Sequence, residues 1–352
     1  MVARQRNPVG SCFDSTADRA IRAIGWWQSR SGSSPSIFGA GDVVSYVESA
    51  FAARVGHSHS SGTSSGTQAL VAALHVASVV SPGPVALPAY NWTAASAATR
   101  LLGLEVVWCD VGPHGVVTAQ GIADLRPRPS VVVATDLHGY PVDVAGIRKV
   151  LPDVIVIEDA SQAIGATRAG TPAGATAHLA VWSIGRGKIV DAGEGGIVTT
   201  DDGELRDALD WCVRHPSLPT RRLCSNLARG AVGRLHALAA TLAAYDLSDV
   251  DARSATRRAS GVSLAAVARA EGCDVPQPES GVSPTWERVV ALATSPRRLA
   301  RVSIEERAYT PSRAPLPMAN RWARRGRVVR FATPEPAAAS LESRSHCDLS
   351  GS

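Results

Sequence analysis

Short β-branched runs alternate with apolar helical stretches from about residue 44 to residue 200, and this alternation most limits the possible fold. The runs are continuously apolar and only a few residues long, which is typical of strands covered on both faces. Helices that connect such strands cover both faces of a parallel sheet. The sequence therefore predicts an α/β domain with a mostly parallel central sheet covered by helices. The predicted strands are residues 85–88, 106–110, 131–136, 154–159 and 197–200, and the predicted helices are 43–55, 67–80 and 94–102.

A change of amino-acid composition beyond about Tyr245 indicates a second, smaller unit. An Ala- and Arg-rich helix is followed there by Pro-rich sequence and a predicted strand at residues 327–331. We predict a large domain over residues 30–245 and a smaller C-terminal α+β domain over residues 246–352, with residues 1–29 as an N-terminal arm. That arm is expected to be poorly structured.

The composition fits a folded protein and excludes several other classes. The chain has 352 residues, of which 45% are hydrophobic, and this excludes a disordered polymer or a disulfide miniprotein. Six cysteines show no spacing typical of zinc sites or of a disulfide framework. No stretch approaches the roughly 18 uninterrupted apolar residues of a membrane span, and the N-terminus lacks an apolar signal core. We therefore expect a cytoplasmic protein with neither a metal site nor a membrane anchor.

The net charge of +5 raises the question of nucleic-acid binding. Basic residues are scattered until a late cluster between Arg321 and Arg330, and such clusters are usually solvated surfaces, so nucleic acid is a minor alternative. All but two of the 36 basic residues are arginine. The two lysines, Lys149 and Lys188, are therefore candidates for positions where the amine itself is needed.

Lys188 lies in the most informative segment of the chain, SIGRGKIVDAGEGG at residues 183–196. The glycines of this segment let the backbone approach a ligand closely. A lysine amine in a dry pocket can lose its proton and attack a carbonyl carbon to form a Schiff base, which arginine cannot do. Taken alone, the segment fits a surface turn equally well.

Asp159 ends a predicted buried strand within the segment VIVIEDASQAIGA at residues 154–166. A carboxylate at such a place is costly unless it has a cationic partner. The pyridinium nitrogen of pyridoxal phosphate (PLP) is one such partner, and a paired carboxylate makes the ring an electron sink. The alternative is an ordinary N-cap of a following helix.

Two further segments suit parts of the same cofactor. The run SSGTQ at residues 64–68 precedes a predicted helix, where backbone amides and hydroxyl groups can bind a phosphate monoester, although a plain helix cap would look the same. Trp92 follows the predicted strand at 85–88, and its indole could stack on a cofactor ring or pack against the protein. Each segment alone fits either cofactor binding or a purely structural role, and the order of the four segments along the chain decides between these two interpretations.

In that order the sequence resembles the DegT/DnrJ/StrS family of sugar aminotransferases, which are PLP enzymes of the aspartate-aminotransferase-like fold, fold type I. The resemblance covers about residues 37–215. The matching motifs are the SGTxAL-like helix start at 65–70, P-A-x-x-W at 88–92, H-G-x-P at 138–141, I-E-D-A-x-Q-A-x-G at 157–165, and S-x-x-x-x-K with G-E-G-G at 183–196.

The resemblance implies a role for each matching residue. Lys188 would form the Schiff base with PLP, Asp159 would pair with the ring nitrogen, and Trp92 would stack on the ring. Gln162 would lie near the phenolic oxygen of the ring. The phosphate would be held by Gly66, Thr67, Gln68 and Ser183, and by Asn226 reaching from the neighbouring subunit of a homodimer.

The resemblance also implies a reaction. We expect an aminotransferase that moves an amino group from Glu or Gln to a keto-sugar, often nucleotide-linked, or to a cyclitol in amino-sugar, secondary-metabolite or antibiotic biosynthesis. The dehydratase branch of the family has His in place of the lysine, so Lys188 favours transamination. Ile184 and Arg186-Gly187 depart from the family pattern on the substrate side. The same residues also suit a PLP-dependent lyase, cyclase or epimerase acting on an amino acid, or an inactive member with a binding role.

Overall fold

The computed structural model describes residues 16–35, 42–214, 233–270, 272–293 and 327–332. The helices are α1 Thr16–Ser31, α2 Asp42–Val55, α3 Gly66–Val80, α4 Thr93–Leu101, α5 Ala119–Ala123, α6 Val144–Val150, α7 Gly203–Val213, α8 Ala237–Leu247 and α9 Val250–Ala270, with a short 3-10 turn at Leu137–Gly139. The strands are β1 His59–Thr63, β2 Val85–Pro88, β3 Val106–Cys109, β4 Val131–Thr135, β5 Ile155–Asp159, β6 Thr167–Arg168, β7 Thr171–Pro172, β8 Leu179–Ser183, β9 Gly196–Thr200, β10 Val282–Ser283, β11 Arg288–Ala293 and β12 Arg327–Ala332.

A seven-stranded sheet forms the centre of the fold, with strand order β1-β9-β8-β5-β4-β2-β3. Strands β8, β5, β4, β2 and β3 pair in parallel, as the continuous apolar runs predicted. Of the seven strands described in this sheet, β9 alone runs antiparallel to its neighbours β1 and β8. The predicted fold class, a mostly parallel sheet with helices around it, is confirmed.

The sheet is buried on both faces, because alternate residues of its strands belong to different clusters of the core. Val131 and Val133 of β4 pack with α3 and α7, whereas Val132 and Ala134 pack with α1, α2 and α8. Helix α3 has almost only apolar residues and is buried along most of its length. Each of its fully buried Leu side chains contributes about 1.5–3 kcal/mol relative to an exposed one.

Helix α1 corrects the expectation that the N-terminal arm is poorly structured. Residues 16–31 form a helix, and Ala23 and Trp27 are buried in the same cluster as α2 and α8. Arg19 of α1 also reaches inward and pairs with Asp246 at the end of α8 at 2.6 Å. The mean hydropathy of this segment is low, but its apolar residues lie on one face, and that face packs against the core.

The C-terminal part contains helix and antiparallel strands, and its separation as a domain at residues 245 and 246 stays a prediction. Strands β11 and β12 form an antiparallel pair, and β10 joins β6 and β7 in a three-stranded sheet. Helix α9 packs through Ala265 and Ala268 against Val289 of β11. Among the helices within the described ranges, none has the length and apolarity to cross a bilayer.

Candidate active site

A cavity lies beside the carboxyl ends of β5 and β8, where ligands bind in sheets of this kind. It is lined by three of the predicted site residues, Gln162, Ser183 and Lys188. The structure therefore brings together residues from two strand ends and from the Gly-rich loop. The other lining residues are Phe51, Ala160, Ser161, Ile164, Trp182, Ile184, Ile189, Val190 and Glu287.

The loop that carries Lys188 is held in one conformation by its own hydrogen bonds. The Asp191 carboxylate accepts hydrogen bonds from the amides of Gly187 and Gly193, both at 2.8 Å. Gly187 has φ +81 and Gly193 has φ +78, a region that favours glycine over residues with a Cβ. Lys188 therefore projects from a fixed turn rather than from a loose surface loop.

The Lys188 ammonium group is 3.6 Å from the Glu287 carboxylate, and the exposed fractions of the two side chains are 22% and 10%. Glu287 also pairs with the guanidinium group of Arg257, whose side chain is 3% exposed. A second nitrogen of that guanidinium group donates to the carbonyl of Gly187 at 3.3 Å. Neither Glu287 nor Arg257 was predicted, because both lie outside the motifs at residues 37–215 that carry the resemblance.

Asp159 is the last residue of β5 and is almost fully buried. Its carboxylate accepts a hydrogen bond from the amide of Ser161 at 3.2 Å. Burial raises the pKa of Asp159 above its ordinary value, while the hydrogen bonds from Ser161 and the charge of Lys188 act in the opposite direction. No α-helix begins between Asp159 and β6, a stretch that is described throughout, so the N-cap interpretation is wrong.

Two more buried carboxyl groups, those of Asp136 and Glu158, lie close to each other and near Asp159. Burial raises the pKa of both, that of Glu158 to about 7, and the proximity of Glu158 adds to the rise at Asp136. The amide of Val142 donates to Asp136, and that of Gly174 donates to Glu158, each at 2.8 Å. A dry interior disfavours the ionisation of both groups side by side, so we infer that the pair keeps a proton at neutral pH.

The start of α3 forms a cradle for an anion. Ser65 is the N-cap and accepts a hydrogen bond from the amide of Gln68 at 3.1 Å. A Cβ on Gly66 would lie 2.7 Å from the Cβ of Ser183, so the helix begins directly against the end of β8. The first amides of a helix have no carbonyl one turn earlier, which leaves those of Gly66 and Thr67 able to bind an anion. The residues predicted to bind the phosphate thus lie around the start of α3, and they are Gly66, Thr67, Gln68 and Ser183.

Gln162 and Trp92 differ in how they are placed. The side-chain oxygen of Gln162 accepts from the amide of His138 at 2.8 Å, which leaves its NH2 group as the donor toward the cavity. The Trp92 indole is 49% exposed and does not line the cavity. The neighbouring Asn91 is buried and donates to Thr135 at 3.0 Å, which ties the segment before Trp92 to the end of β4. Asn226 lies outside the described residues.

The fold and the lysine-bearing loop beside a buried aspartate define the PLP-dependent enzymes of fold type I. The chain belongs to the DegT/DnrJ/EryC1/StrS aminotransferase family, whose model matches residues 33–290. This match covers more than half of the chain and confirms the resemblance derived from the motifs. Members of this family are PLP-dependent aminotransferases.

Individual relatives show how far the similarity extends. The 3-amino-5-hydroxybenzoate synthase of Amycolatopsis mediterranei (strain S699) is 30% identical over 246 residues, which are 68% of this chain and 61% of the relative. The UDP-N-acetyl-3-dehydro-alpha-D-glucosamine 3-aminotransferase of Acidithiobacillus ferrooxidans is 32% identical over 179 residues, 49% of this chain and 48% of the relative. The chain thus spans less than two thirds of the length of either relative.

A solved structure agrees with the fold over nearly the whole chain. The aminotransferase from Psychrobacter cryohalolentis superimposes with a TM-score of 0.76, covering 93% of this chain and 94% of that one at 21% identity. At this identity the agreement concerns the fold alone.

The residues of the site fit PLP. The cofactor requires an amine for its carbonyl carbon, a carboxylate for its ring nitrogen and a cradle for its phosphate, and the described residues provide all three. The buried Asp159 carboxylate suits a cationic partner, and the close approach of Gly66 to Ser183 shapes the cradle. Within the part of the chain that the structure describes, no group of His, Cys, Asp and Glu has the arrangement of a metal site.

Proposed function

We propose that this protein is a PLP-dependent aminotransferase that moves an amino group from Glu or Gln to a keto-sugar, often nucleotide-linked, or to a cyclitol. The observation that carries the proposal is the meeting of Lys188, Gln162 and Ser183 in one cavity, with the buried Asp159 at the adjoining strand end. Family membership supports the reaction class.

Lys188 and Asp159 are the proposed catalytic residues. When bound, PLP supplies an electrophilic carbon for the amines and a ring that accepts electrons. Lys188 would hold the cofactor through its amine and would serve as the base that moves the proton during amino transfer. Asp159 holds a proton at the ring nitrogen, and its burial excludes the water that would weaken this pair.

The other proposed residues bind and orient the cofactor. Gly66, Thr67, Gln68 and Ser183 would hold the phosphate at the start of α3. The Gln162 NH2 group donates toward the phenolic oxygen, since its carbonyl oxygen already accepts from His138. Trp92 would stack on the ring, and Asn226 would complete the phosphate site of the partner subunit in a homodimer. Both roles rest on the family resemblance alone.

The acceptor class rests on the relatives and on Lys188. The name of the second relative, an aminotransferase of a UDP-linked 3-dehydro sugar, supports an acceptor with a ring ketone. That name and the name of the 3-amino-5-hydroxybenzoate synthase support a role in amino-sugar or secondary-metabolite biosynthesis. The retained lysine favours transamination over the dehydration of the family's His-bearing branch. A cytoplasmic location is also proposed, since the six cysteines show no spacing typical of a disulfide framework.

The half-reaction with an amino donor tests the proposal. The protein is incubated with PLP and then with Glu or Gln, and the visible absorption of the bound cofactor and the release of a 2-oxo acid are measured. We expect the absorption to decay with one equivalent of 2-oxo acid. An absorption change with another amino acid and no amino transfer would replace the proposal by a lyase, cyclase or epimerase, and no response to any donor would leave an inactive binding protein.

Borohydride reduction with PLP locates the reactive amine. The pyridoxyl label is expected on Lys188, and Lys149 serves as the internal control because it is exposed on α6. A label on Lys149 alone would overturn the assignment.

A further inference from the structure

Arg257 and Glu287 form a buried ion pair at the wall of the cavity, and both contact the Lys188 segment. The Glu287 carboxylate is 3.6 Å from the Lys188 ammonium group, and the Arg257 guanidinium group donates to the Gly187 carbonyl at 3.3 Å. The pair thus holds both the backbone just before Lys188 and the charged end of its side chain.

Glu287 is itself fixed by the residues before it. The Thr285 amide donates to the Gly139 carbonyl at 3.0 Å, and its hydroxyl donates to the Gln162 carbonyl at 2.8 Å. Trp286 has φ +56, which is unusual for a residue with a side chain. A Cβ on Gly261 would lie 2.2 Å from the Cβ of Trp286, so α9 approaches this residue at a point where only glycine fits. Residues 285–287 are therefore held beside the cavity both by backbone hydrogen bonds and by side-chain contacts.

We propose that Arg257 and Glu287 are positioning residues for Lys188, a role that rests on the proposed function of this lysine. Glu287 holds the amine at the cavity wall, and Arg257 keeps the carboxylate in place while it anchors the Lys188 loop. Because a buried carboxylate attracts an ammonium group and a buried guanidinium group repels it, the two partners have opposite effects on the amine. Glu287 therefore attracts the Lys188 ammonium group, and the charge of Arg257 weakens that attraction.

Competitive labelling of the two lysines tests this arrangement without the cofactor. The protein free of PLP is treated with a small excess of acetic anhydride across a range of pH, and the ratio of Lys188 to Lys149 acetylation is measured by peptide mass spectrometry. Lys149 is the built-in reference in every variant. The reagent reacts with the free amine and not with the ammonium form, so the ratio reports how strongly the surroundings hold the charge on Lys188.

The two charge-removing variants are expected to shift the ratio in opposite directions. Glu287→Gln leaves Arg257 as an unbalanced cation beside Lys188, so the ratio should rise about three- to tenfold at about pH 8. Arg257→Gln leaves Glu287 as an unbalanced anion, so the ratio should fall by a similar factor. Arg257→Lys keeps the positive charge and should stay within about twofold of the original protein.

Loss of structure would give a different pattern, because an unfolded chain brings both lysines to similar reactivity in every variant. Far-UV and near-UV circular dichroism identify any variant that does not fold, and the double variant Arg257→Gln/Glu287→Gln, which removes both charges, should return the ratio toward that of the original protein. Shifts of the same sign in both single variants, or no shift in folded protein, would overturn the proposal. The labelling needs no cofactor, so it can succeed even where borohydride reduction shows that PLP is not bound to Lys188.

Discussion

Asp246 of α8 accepts a hydrogen bond from the backbone amide of Asp191 at 2.8 Å, which connects a buried helix end to the turn that carries Lys188. The Asp246 side chain has no exposed surface and also pairs with Arg19 at 2.6 Å and Arg253 at 3.1 Å. Burial raises the pKa of Asp246, and the two guanidinium groups act against this rise. The Lys188 loop is therefore supported by α1, α8 and α9 at a single carboxylate.

Asp246→Ala should destabilise the protein strongly, because it leaves two arginines and one amide without their buried partner. We expect a loss of about 3–5 kcal/mol in the free energy of unfolding, measured by urea denaturation. The control is Asp251→Ala, which removes an ion pair with Arg54. The Asp251 side chain of this pair is 85% exposed. That pair should contribute less than about 1 kcal/mol. Equal losses in both variants would contradict the role of Asp246.

Asp159→Asn should keep the fold and lose most of the aminotransferase activity. The amide has nearly the same shape as the carboxylate, but it cannot hold a proton at the ring nitrogen of PLP. We expect the rate of the half-reaction with Glu or Gln to fall by at least about 100-fold. The thermal unfolding midpoint should not fall, since burial of a neutral amide is less costly than burial of a charge. A variant with the original rate would show that Asp159 is not the partner of the ring.

Gly66→Ala should weaken the binding of PLP, because the added methyl group would lie 2.7 Å from the Cβ of Ser183 and force α3 away from β8. We expect the dissociation constant to increase by about 10-fold or more, which corresponds to about 1.4 kcal/mol. Gly203→Ala is the matched control, since Gly203 also begins a helix and its nearest neighbour would be 3.8 Å away. Cofactor fluorescence titration compares the two variants. Equal affinities would show that the cradle does not bind the phosphate.

Glu158→Gln should change how stability depends on pH. Burial raises the pKa of Glu158 from its ordinary value of 4.5 to about 7, so the folded state keeps a proton that the unfolded state releases. Stability from this group is therefore fully present below about pH 4.5 and lost as the pH rises through about 7. The loss amounts to up to about 3 kcal/mol, since one pKa unit corresponds to about 1.4 kcal/mol.

Urea denaturation between these pH values measures the effect. The free energy of unfolding should fall less steeply with pH in Glu158→Gln than in the original protein. Glu204→Gln, at the exposed start of α7, should leave the slope unchanged. The same slope in all three proteins would show that the Asp136–Glu158 pair does not share a proton.

The sequence predicted the strands of the central sheet well where they are apolar. Strands β2, β3, β4 and β5 begin and end within one residue of the predicted bounds, because β-branched runs buried on both faces leave an unambiguous signal. Strand β1, with the sequence HSSGT, was not predicted because it has no apolar side chain. Its small polar residues are buried by α2 and α7, which is a property of their neighbours and not of the strand itself.

The residues of the site were predictable only where they belong to motifs with fixed spacing. Lys188, Gln162 and Ser183 come from motifs with fixed spacing, and the structure places them in one cavity. Glu287 and Arg257 could not be found in this way, since they reach Lys188 from a part of the chain far away in sequence. Only the packing of α9 against the segment before β11 brings them to the cavity, and no local pattern encodes that contact.

The contact between Lys188 and Glu287 also determines when the site can form during synthesis. A chain grows from its N-terminus at about 5–20 residues per second, so the Lys188 loop is made roughly 5–20 s before Glu287. During that interval the central sheet can already assemble on the ribosome, while the Lys188 amine still lacks the Glu287 carboxylate. The surroundings of Lys188 are therefore complete only after the C-terminal segment has packed against the sheet, so the sheet alone does not assemble them.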